Sequence, residues 1–592
     1  MTGATSSKEA HAKQKVERQE RKAAKPNADS LARSKKLWER LRRKSHVPLE
    51  ERKTLIAELF EIITGRVKDF VFKHDSVRVI QTALKYANVD QRKMIARELK
   101  GEYKTLAESR YAKFLIGKLL VHGDEEIRDL VIPEFCGHVK RLIKHPEASW
   151  ILDDVYRGIA TPSQKATMLR EWYGAEFALF RLKGKEPVSA DLQNLLLNHP
   201  EKRTPIMRSL FETINLLVQK KTTGFTMLHD AMLQYFLNLQ TGSEEAIDFF
   251  ELVKGDEEGD LLKNLAFTNS GARLVCLALA YGNAKDRKQI LKTFKDTIQA
   301  LAYDAYAHQV LITIYDVIDD TVLISKSVFP ELVGKHPASP EREQQILVAT
   351  SHLIGRIPII YPFCPRLMPA ILPTEDIKLL NQVHEIRATT SKKDNEVRRR
   401  ELMNALSPSM ISLMTNHTQY LLSTSFGCQL IGEVLPEASG DRAPVMASIA
   451  AIASGTEEEK SLFSTPHAGR MLKKLVTCGR YNKKTNKVDL IEPPLGFHDI
   501  FYTAIQDELL VWATGSNSFV IVALLEAPGF SQLEHLKKAL KKSESRTRLK
   551  SAANGAGRVA VAKKEDKKGK AEERGVAKEN KGTQLLLKML EE

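Results

Sequence analysis

The sequence predicts an all-α fold, a curved superhelical solenoid of about eleven stacked helical repeats, and three observations carry that prediction. First, a short phrase recurs: a small residue, two variable positions, a branched apolar pair and one further side chain. It reads Ser76-Val77-Arg78-Val79-Ile80-Gln81, then Ala112-Lys113-Phe114-Leu115-Ile116-Gly117, then Ala148-Ser149-Trp150-Ile151-Leu152-Asp153. These phrases end at 81, 117 and 153, two successive steps of 36 residues, which is the period of a stacked helical unit. Second, each phrase is preceded by an amphipathic helical pattern such as Arg92–Leu99, where Met94, Ile95 and Leu99 share one face and charges occupy the other. Third, no sustained period-two alternation occurs, so strands are not expected.

Further copies follow with drift. They begin at Gly224, Gly271, Ala307, Gly427, Ala468, Asn517 and Gly582, while Gly355-Arg356-Ile357 opens a broken one. The gap of 76 residues between 153 and 229 calls for one more copy, with the apolar stretch Leu192–Leu197 as its candidate, so the expected count is eleven or twelve. A helix pair of this length cannot bury its own apolar face, so each copy must lean on its neighbours. Growth in one dimension also explains how 592 residues escape the size limit of a single core.

Composition narrows the class. A hydrophobic content of 43% is ordinary for a soluble protein. No apolar run reaches the roughly 20 residues that cross a bilayer, and the N-terminus lacks the apolar core of a secretory signal, so no membrane partner is expected. The five cysteines are scattered, with no CxxC pair, and read as buried thiols in a reducing compartment. No phosphate-binding loop, HExxH, GxSxG or Cys/His set with ligand spacing occurs, so neither catalysis nor a metal or cofactor is expected.

Charge points towards a partner. Residues 1–46 carry +9 and residues 541–580 carry +7, which together make up the whole formal charge of +16. The repeat array is therefore neutral overall, yet residues 62–145 hold 17 basic against 11 acidic side chains, a basic stripe suited to a phosphate backbone. The expected organisation is a basic, largely disordered tail over 1–46, an N-terminal array over 47–335, and C-terminal repeats over 336–540. A basic disordered insertion over 541–580 and a last helix over 581–592 follow. Within the tail, Lys35–Lys44 suits a helix with Leu37, Trp38 and Leu41 on one side, and its basic run reads as a nuclear-localisation signal. A second inserted stretch, Thr389–Arg400, ends in the triplet Arg398-Arg399-Arg400.

The phrase resembles the Pumilio (PUF) repeat, in which three side chains of one helix face an RNA base. On that resemblance Val77 and Gln81 fill the edge-reading slots of the first repeat and Arg78 the stacking slot, since an amide reaches a base edge while a guanidinium or aromatic plane packs between bases. The text from Lys35-Lys36-Leu37-Trp38 through Phe72-Lys73-His74-Asp75-Ser76 to Gly137-His138-Val139 is similar to the nucleolar PUF-like branch called Penguin or Puf-A. The same branch carries a C-terminal CPL region, matched here by Gly355-Arg356, Lys392-Lys393-Asp394, Val397–Leu402 and Lys581–Leu586. The resemblance implies two arms meeting at an angle, binding of structured RNA, and work in the nucleus and nucleolus on precursors of the large ribosomal subunit. Pre-rRNA and pre-60S proteins would then be partners, with mRNA 3′-UTR repression in some members, and the chain a monomer outside such particles.

The base-reading code is broken in this chain. Gly117 in the second repeat cannot read a base edge, and Cys276, Ile312, Gly432, Val522 and Leu587 fill the same slot later. The first and third repeats keep near-complete sets, Val77/Arg78/Gln81 and Ser149/Trp150/Asp153, while core packing and base stacking both remain open for Phe114 and Trp150. Recognition of backbone and shape is therefore the expected mechanism. The candidate RNA-binding residues are Lys73, Arg78, Gln81, Lys85, Arg110, Lys113, Lys118, Lys140, Arg141, Lys144, Ser149, Trp150 and Asp153. The alternative reading is a helical-repeat protein-interaction scaffold localised by its basic tails.

Overall fold

The structure, a computed structural model, describes residues 3–23, 28–43, 46–174, 189–256, 258–334, 340–364, 369–482, 487–554 and 580–591. The chain packs as two compact units, Met1–Asp256 and Glu257–Glu592, so the boundary expected at 335/336 falls inside the second.

Each early repeat has three helices: a short one, the helix that carries the phrase, and an amphipathic one. They are Val67–Val71, His74–Tyr86 and Val89–Glu98, then Tyr103–Glu108, Lys113–Val121 and Glu125–Val131, then Val139–Leu142, Ala148–Gly158 and Pro162–Arg170. The branched pairs of the phrase, Val79/Ile80, Leu115/Ile116 and Ile151/Leu152, form the core between successive phrase helices. The small first residue has a steric cause. At Gly271 and Gly427 a Cβ would run into the carbonyl oxygens of Leu265 and Leu421 in the preceding short helix. Ser76 fits the same place by donating its hydroxyl to the Phe70 carbonyl at 2.7 Å.

Two further devices share the period. The amphipathic helices start at N-caps Asn88, Asp124 and Thr161, whose side chains accept backbone N–H bonds from Gln91, Ile127 and Gln164. Each short helix is entered through a glycine at positive φ, Gly65, Gly101 or Gly137, whose N–H donates to a glutamate of the same repeat, Glu98, Glu134 or Glu171. The second oxygens of these glutamates accept from Val67, Tyr103 and Val139 at 3.1, 2.9 and 2.8 Å. Orphan N–H groups of the short helix are thus satisfied at its positive end.

The implied copy between 153 and 229 is not a phrase helix. Ala148–Gly158 packs directly on Thr226–Leu237, with Asp153 accepting the Met227 N–H at 3.0 Å and Tyr156 donating to Asp230 at 2.6 Å. Leu192–Asn198 is a helix, but it leaves Leu197 72% exposed and packs beside Thr226–Leu237 instead of between the two phrase helices. In the second unit the phrase helices Asn269–Tyr281, His308–Val317, Ile357–Ile360, Ser425–Val434, Pro466–Thr477, Phe519–Glu526 and Lys581–Glu591 each touch the next. With the four of the first unit they make eleven among the described residues, the broken copy included.

Other expectations are corrected. The tail holds helices Gly3–Ala23 and Ala28–Leu41, the second burying Leu37 and Leu41 against His74–Tyr86, so the array starts before residue 47. Ser543–Ala553, assigned to the basic insertion, is a helix that buries Leu549 against the last helix; residues 555–579, with the run Lys563–Lys568, lie outside the described residues. A hairpin of Gly479–Asn482 and Lys487–Leu490 interrupts the helices, its four-residue strands too short to show a period. The inserted stretch Thr389–Arg400 joins the end of helix Thr374–Thr390 to the start of helix Asn395–Asn416.

Candidate nucleic-acid interface

Helical geometry sorts the candidates by row. Positions 78, 114 and 150 occupy the third slot of their phrases and lie outward on neighbouring helices, with Phe114 55% and Trp150 56% exposed. Of the two roles open for these rings, the structure favours the surface one. Trp150 is braced edge-to-face on Phe225, centroids 5.1 Å apart, and Phe114 has the Lys113 ammonium 5.1 Å from its centre. Arg78 is exposed, and neither it nor half-buried Gln81 makes a side-chain hydrogen bond or ion pair among the described residues.

The second slot faces inward. Val77 and Ser149 are buried, and so are Phe225, Ala272, His308, Cys428, Ser518 and Thr583 in later copies. This corrects the assignment of Ser149 as a reader. Asp153 is corrected too, because it is only 4% exposed and its carboxylate caps the start of Thr226–Leu237. Burial pushes the Asp153 carboxyl up to about 6, against the N–H donors of Met227 and Thr226, which lower it. Its folded pKa thus exceeds the unfolded value near 3.8, so its contribution to stability is full below that value and is lost as the pH rises through about 6. Asp153→Asn keeps an acceptor oxygen and should abolish that part of the decline, seen as a smaller fall in urea midpoint between about pH 4 and 6, with oligonucleotide affinity unchanged. A tenfold affinity loss would reinstate Asp153 as a reader.

The basic candidates divide likewise. Lys113 pairs with Glu147 at 2.7 Å, Arg141 with Glu108, and Lys140 donates to Ser209 at 2.6 Å, so these are already engaged. Lys73, Arg78, Lys85, Arg110, Lys118 and Lys144 form no ion pair among the described residues. Arg110 lies over Tyr111 and Lys85 over Tyr86, at 5.7 and 5.4 Å. Lys118 has its pKa lowered by burial and by the charge of Lys85, and Lys140 by burial and by Lys144. Glu212 offsets part of this at Lys140, whereas Lys118 and Lys85 have no ion-pair partner among the described residues, and such a pair of cations marks a place where an anion would be welcome.

In the second unit the protein covers its own third slots. Gln309 donates to Asp376 at 2.6 Å and Arg273 to Gln382 at 3.4 Å, both on helix Thr374–Thr390, while Gln429 donates to the Ala370 carbonyl at 3.1 Å. His308 joins Asp376 at 2.7 Å and Thr390 donates to the Ala280 carbonyl at 2.7 Å, fixing that helix across two repeats. The slots open again later: Arg470 is exposed and Phe519 is 42% exposed, with the Lys473 ammonium 6.0 Å from its centre. Sequence reasoning passed over this pair by weighing the sixth position of the phrase instead of the third.

Comparison with known proteins agrees with this architecture. Residues 352–487 match the CPL (NUC119) domain. The chain is 33% identical over 536 residues to Pumilio homology domain family member 6 of Schizosaccharomyces pombe, covering 90% of this chain and 80% of that protein. It belongs to the Puf-A-type PUF-like family. Pumilio homolog 3 of Homo sapiens is 30% identical, over 87% of this chain and 76% of that protein. The crystal structure of human Puf-A in complex with DNA superposes with a TM-score of 0.74 at 28% identity, covering 89% of this chain and all of that one. Helix Thr374–Thr390, which closes the third slots of Arg273 and Gln309, lies within the matched CPL region.

Proposed function

We propose that the chain is a non-catalytic nucleic-acid-binding protein that holds structured RNA, and DNA of similar form, with little reading of base edges. The observation that carries this reading is the outward row Arg78, Phe114 and Trp150 beside the unpaired ammonium groups of Lys85 and Lys118. A row of outward aromatic and guanidinium groups at repeat spacing, beside lysines with no ion pair among the described residues, suits nucleic acid better than it suits a scaffold for proteins alone. The DNA bound by human Puf-A supports the same class of partner. Phosphates would meet Arg78, Lys85, Lys118 and Lys144, while unpaired bases or helix ends stack on the rings. Buried second slots, Gly117, and the helix laid over the slots of Arg273 and Gln309 all work against a base-per-repeat code.

Phe114→Ala and Trp150→Ala should each cost about 1–3 kcal/mol on a single-stranded oligonucleotide and much less on a duplex, measured by fluorescence anisotropy. Equal affinities for wild type and the double variant on every ligand would end the stacking assignment. The proposal extends, on the resemblance carried by the repeat phrase, to nucleolar work on large-subunit precursor RNA alongside pre-60S proteins, with mRNA 3′-UTR binding as a further activity. An in-cell crosslinking map tests this, with reads concentrated in precursor rRNA expected and reads confined to mRNA untranslated regions decisive against it.

A further inference from the structure

A cavity of about 620 Å³ opens in the second unit, and no member of the cation–aromatic rows lines it. Its walls are helix Asn395–Asn416, the turn Pro436–Gly440 and the strand Lys487–Leu490 with the segment that follows it. Four guanidiniums line it: Arg399, Arg400, Arg442 and Arg480. Two are committed to the fold. Arg480 bonds Glu437 at 2.5 Å and the Phe363 carbonyl at 3.0 Å, and Arg399 bonds Glu396 at 2.6 Å and Glu437 at 3.3 Å. Arg480 is only 7% exposed, and its Nε is buried without a hydrogen-bond partner. The other two keep donors to spare. Arg442 spends one nitrogen on the Pro436 carbonyl, and Arg400, with 68% of its side chain exposed, reaches Glu396 through Nε alone.

The rest of the lining is mixed. Met403, Pro436, Leu490, Ile491 and Pro493 give apolar walls, and Leu490 is 53% exposed. Glu437, Asp489 and Glu492 also line the cavity. Three carboxylates beside four guanidiniums disfavour a nucleic-acid strand, which carries a charge on every residue, but tolerate one acidic group set among apolar ones. The volume lies within the range that holds a few side chains, and guanidiniums on two separate elements offer the forked donors that a carboxylate accepts.

We propose that this cavity binds a short segment of a partner protein, an acidic side chain on Arg400 and Arg442 with flanking apolar residues against Met403, Leu490 and Ile491. The site is separate from the nucleic-acid reading and stands or falls without it.

The test is selection from a displayed library of random heptapeptides on the full-length chain, with the Arg400→Glu/Arg442→Glu variant panned in parallel. Both side chains lie outside the buried ion-pair network, and circular dichroism and the urea midpoint check that the variant is folded. Wild type should enrich peptides with Asp or Glu between apolar residues. A synthetic peptide of that consensus should bind the variant at least tenfold more weakly, and its Asn/Gln counterpart should lose binding to wild type. A duplex oligonucleotide should bind wild type and variant alike. The proposal is overturned if no acidic consensus emerges, if the variant enriches the same peptides, or if the variant loses oligonucleotide binding, which would make the cavity part of the nucleic-acid surface. A variant that no longer folds would also count against it, by showing both arginines to be structural; Arg442→Gln then provides the independent check, with the same tenfold criterion.

Discussion

Reversing three cations of the first two phrase helices that form no ion pair among the described residues, in the triple variant Arg78→Glu/Lys85→Glu/Lys118→Glu, should weaken binding of structured and single-stranded oligonucleotides alike. The expected loss is about a hundredfold or more at low salt. Each phosphate contact removed should also flatten the slope of log affinity against log salt by about one unit. The three lie on adjacent phrase helices, none has a carboxylate partner among the described residues, and burial first, then the charge of Lys85, lowers the pKa of Lys118. Reversing Lys113, Lys140 and Arg141 should do less to binding, because Glu147, Ser209 and Glu108 already hold them. A salt titration by anisotropy decides the matter, and an unchanged slope in the triple variant would remove this surface from the binding reading. Gln81→Ala should change affinity and sequence preference little, since no neighbouring repeat offers a second edge reader.

The largest effect on stability is expected at Arg398. It is 1% exposed and donates to Asp319 at 2.5 Å, Asn395 at 3.0 Å and the carbonyls of Lys393 and Ile318 at 3.1 and 3.3 Å, with Ser391 also in its shell. These bonds tie the start of helix Asn395–Asn416 to the end of His308–Val317. Arg398→Ala leaves the Ile318 and Lys393 carbonyls without a donor and removes one of three from Asp319, which keeps Ser391 and the Lys392 N–H, and should cost about 3 kcal/mol, read as a fall in the midpoint of the second unit's urea transition. Arg400→Ala, on the exposed side of the same turn, should stay within about 0.5 kcal/mol. Equal effects would show that the buried pair adds nothing. With Arg398 and Arg399 held in ion pairs, the triplet is not presented as a linear basic signal, whatever part the N-terminal run plays in localisation.

The period of 36 was legible because it rests on local chemistry. A small residue must sit under the carbonyls of the short helix, a branched pair must fill the core, and a capping side chain must start the next helix. The glycine–glutamate pairs Gly65/Glu98, Gly101/Glu134 and Gly137/Glu171 carry the same period and could have been found by it, though pairing residues 33 or 34 apart is not a local signal. The surface row Arg78, Phe114 and Trp150 was legible as slots, but not its exposure, which depends on what the neighbouring helix covers.

By itself, then, the sequence determined the helical class, the register of the phrase and the basic stripe, because each is written in residues within one turn or one repeat of each other. Only the tertiary structure decided which members of the phrase meet solvent. Ser149 and Asp153 turned inward because Thr226–Leu237, more than 70 residues on, packs straight onto their helix, and a buried carboxylate there is worth more as a cap than as a reader. The slots of Arg273 and Gln309 closed because Thr374–Thr390 crosses them. Contacts at such separations depend on the three-dimensional path of the chain, and no local pattern of side chains records them.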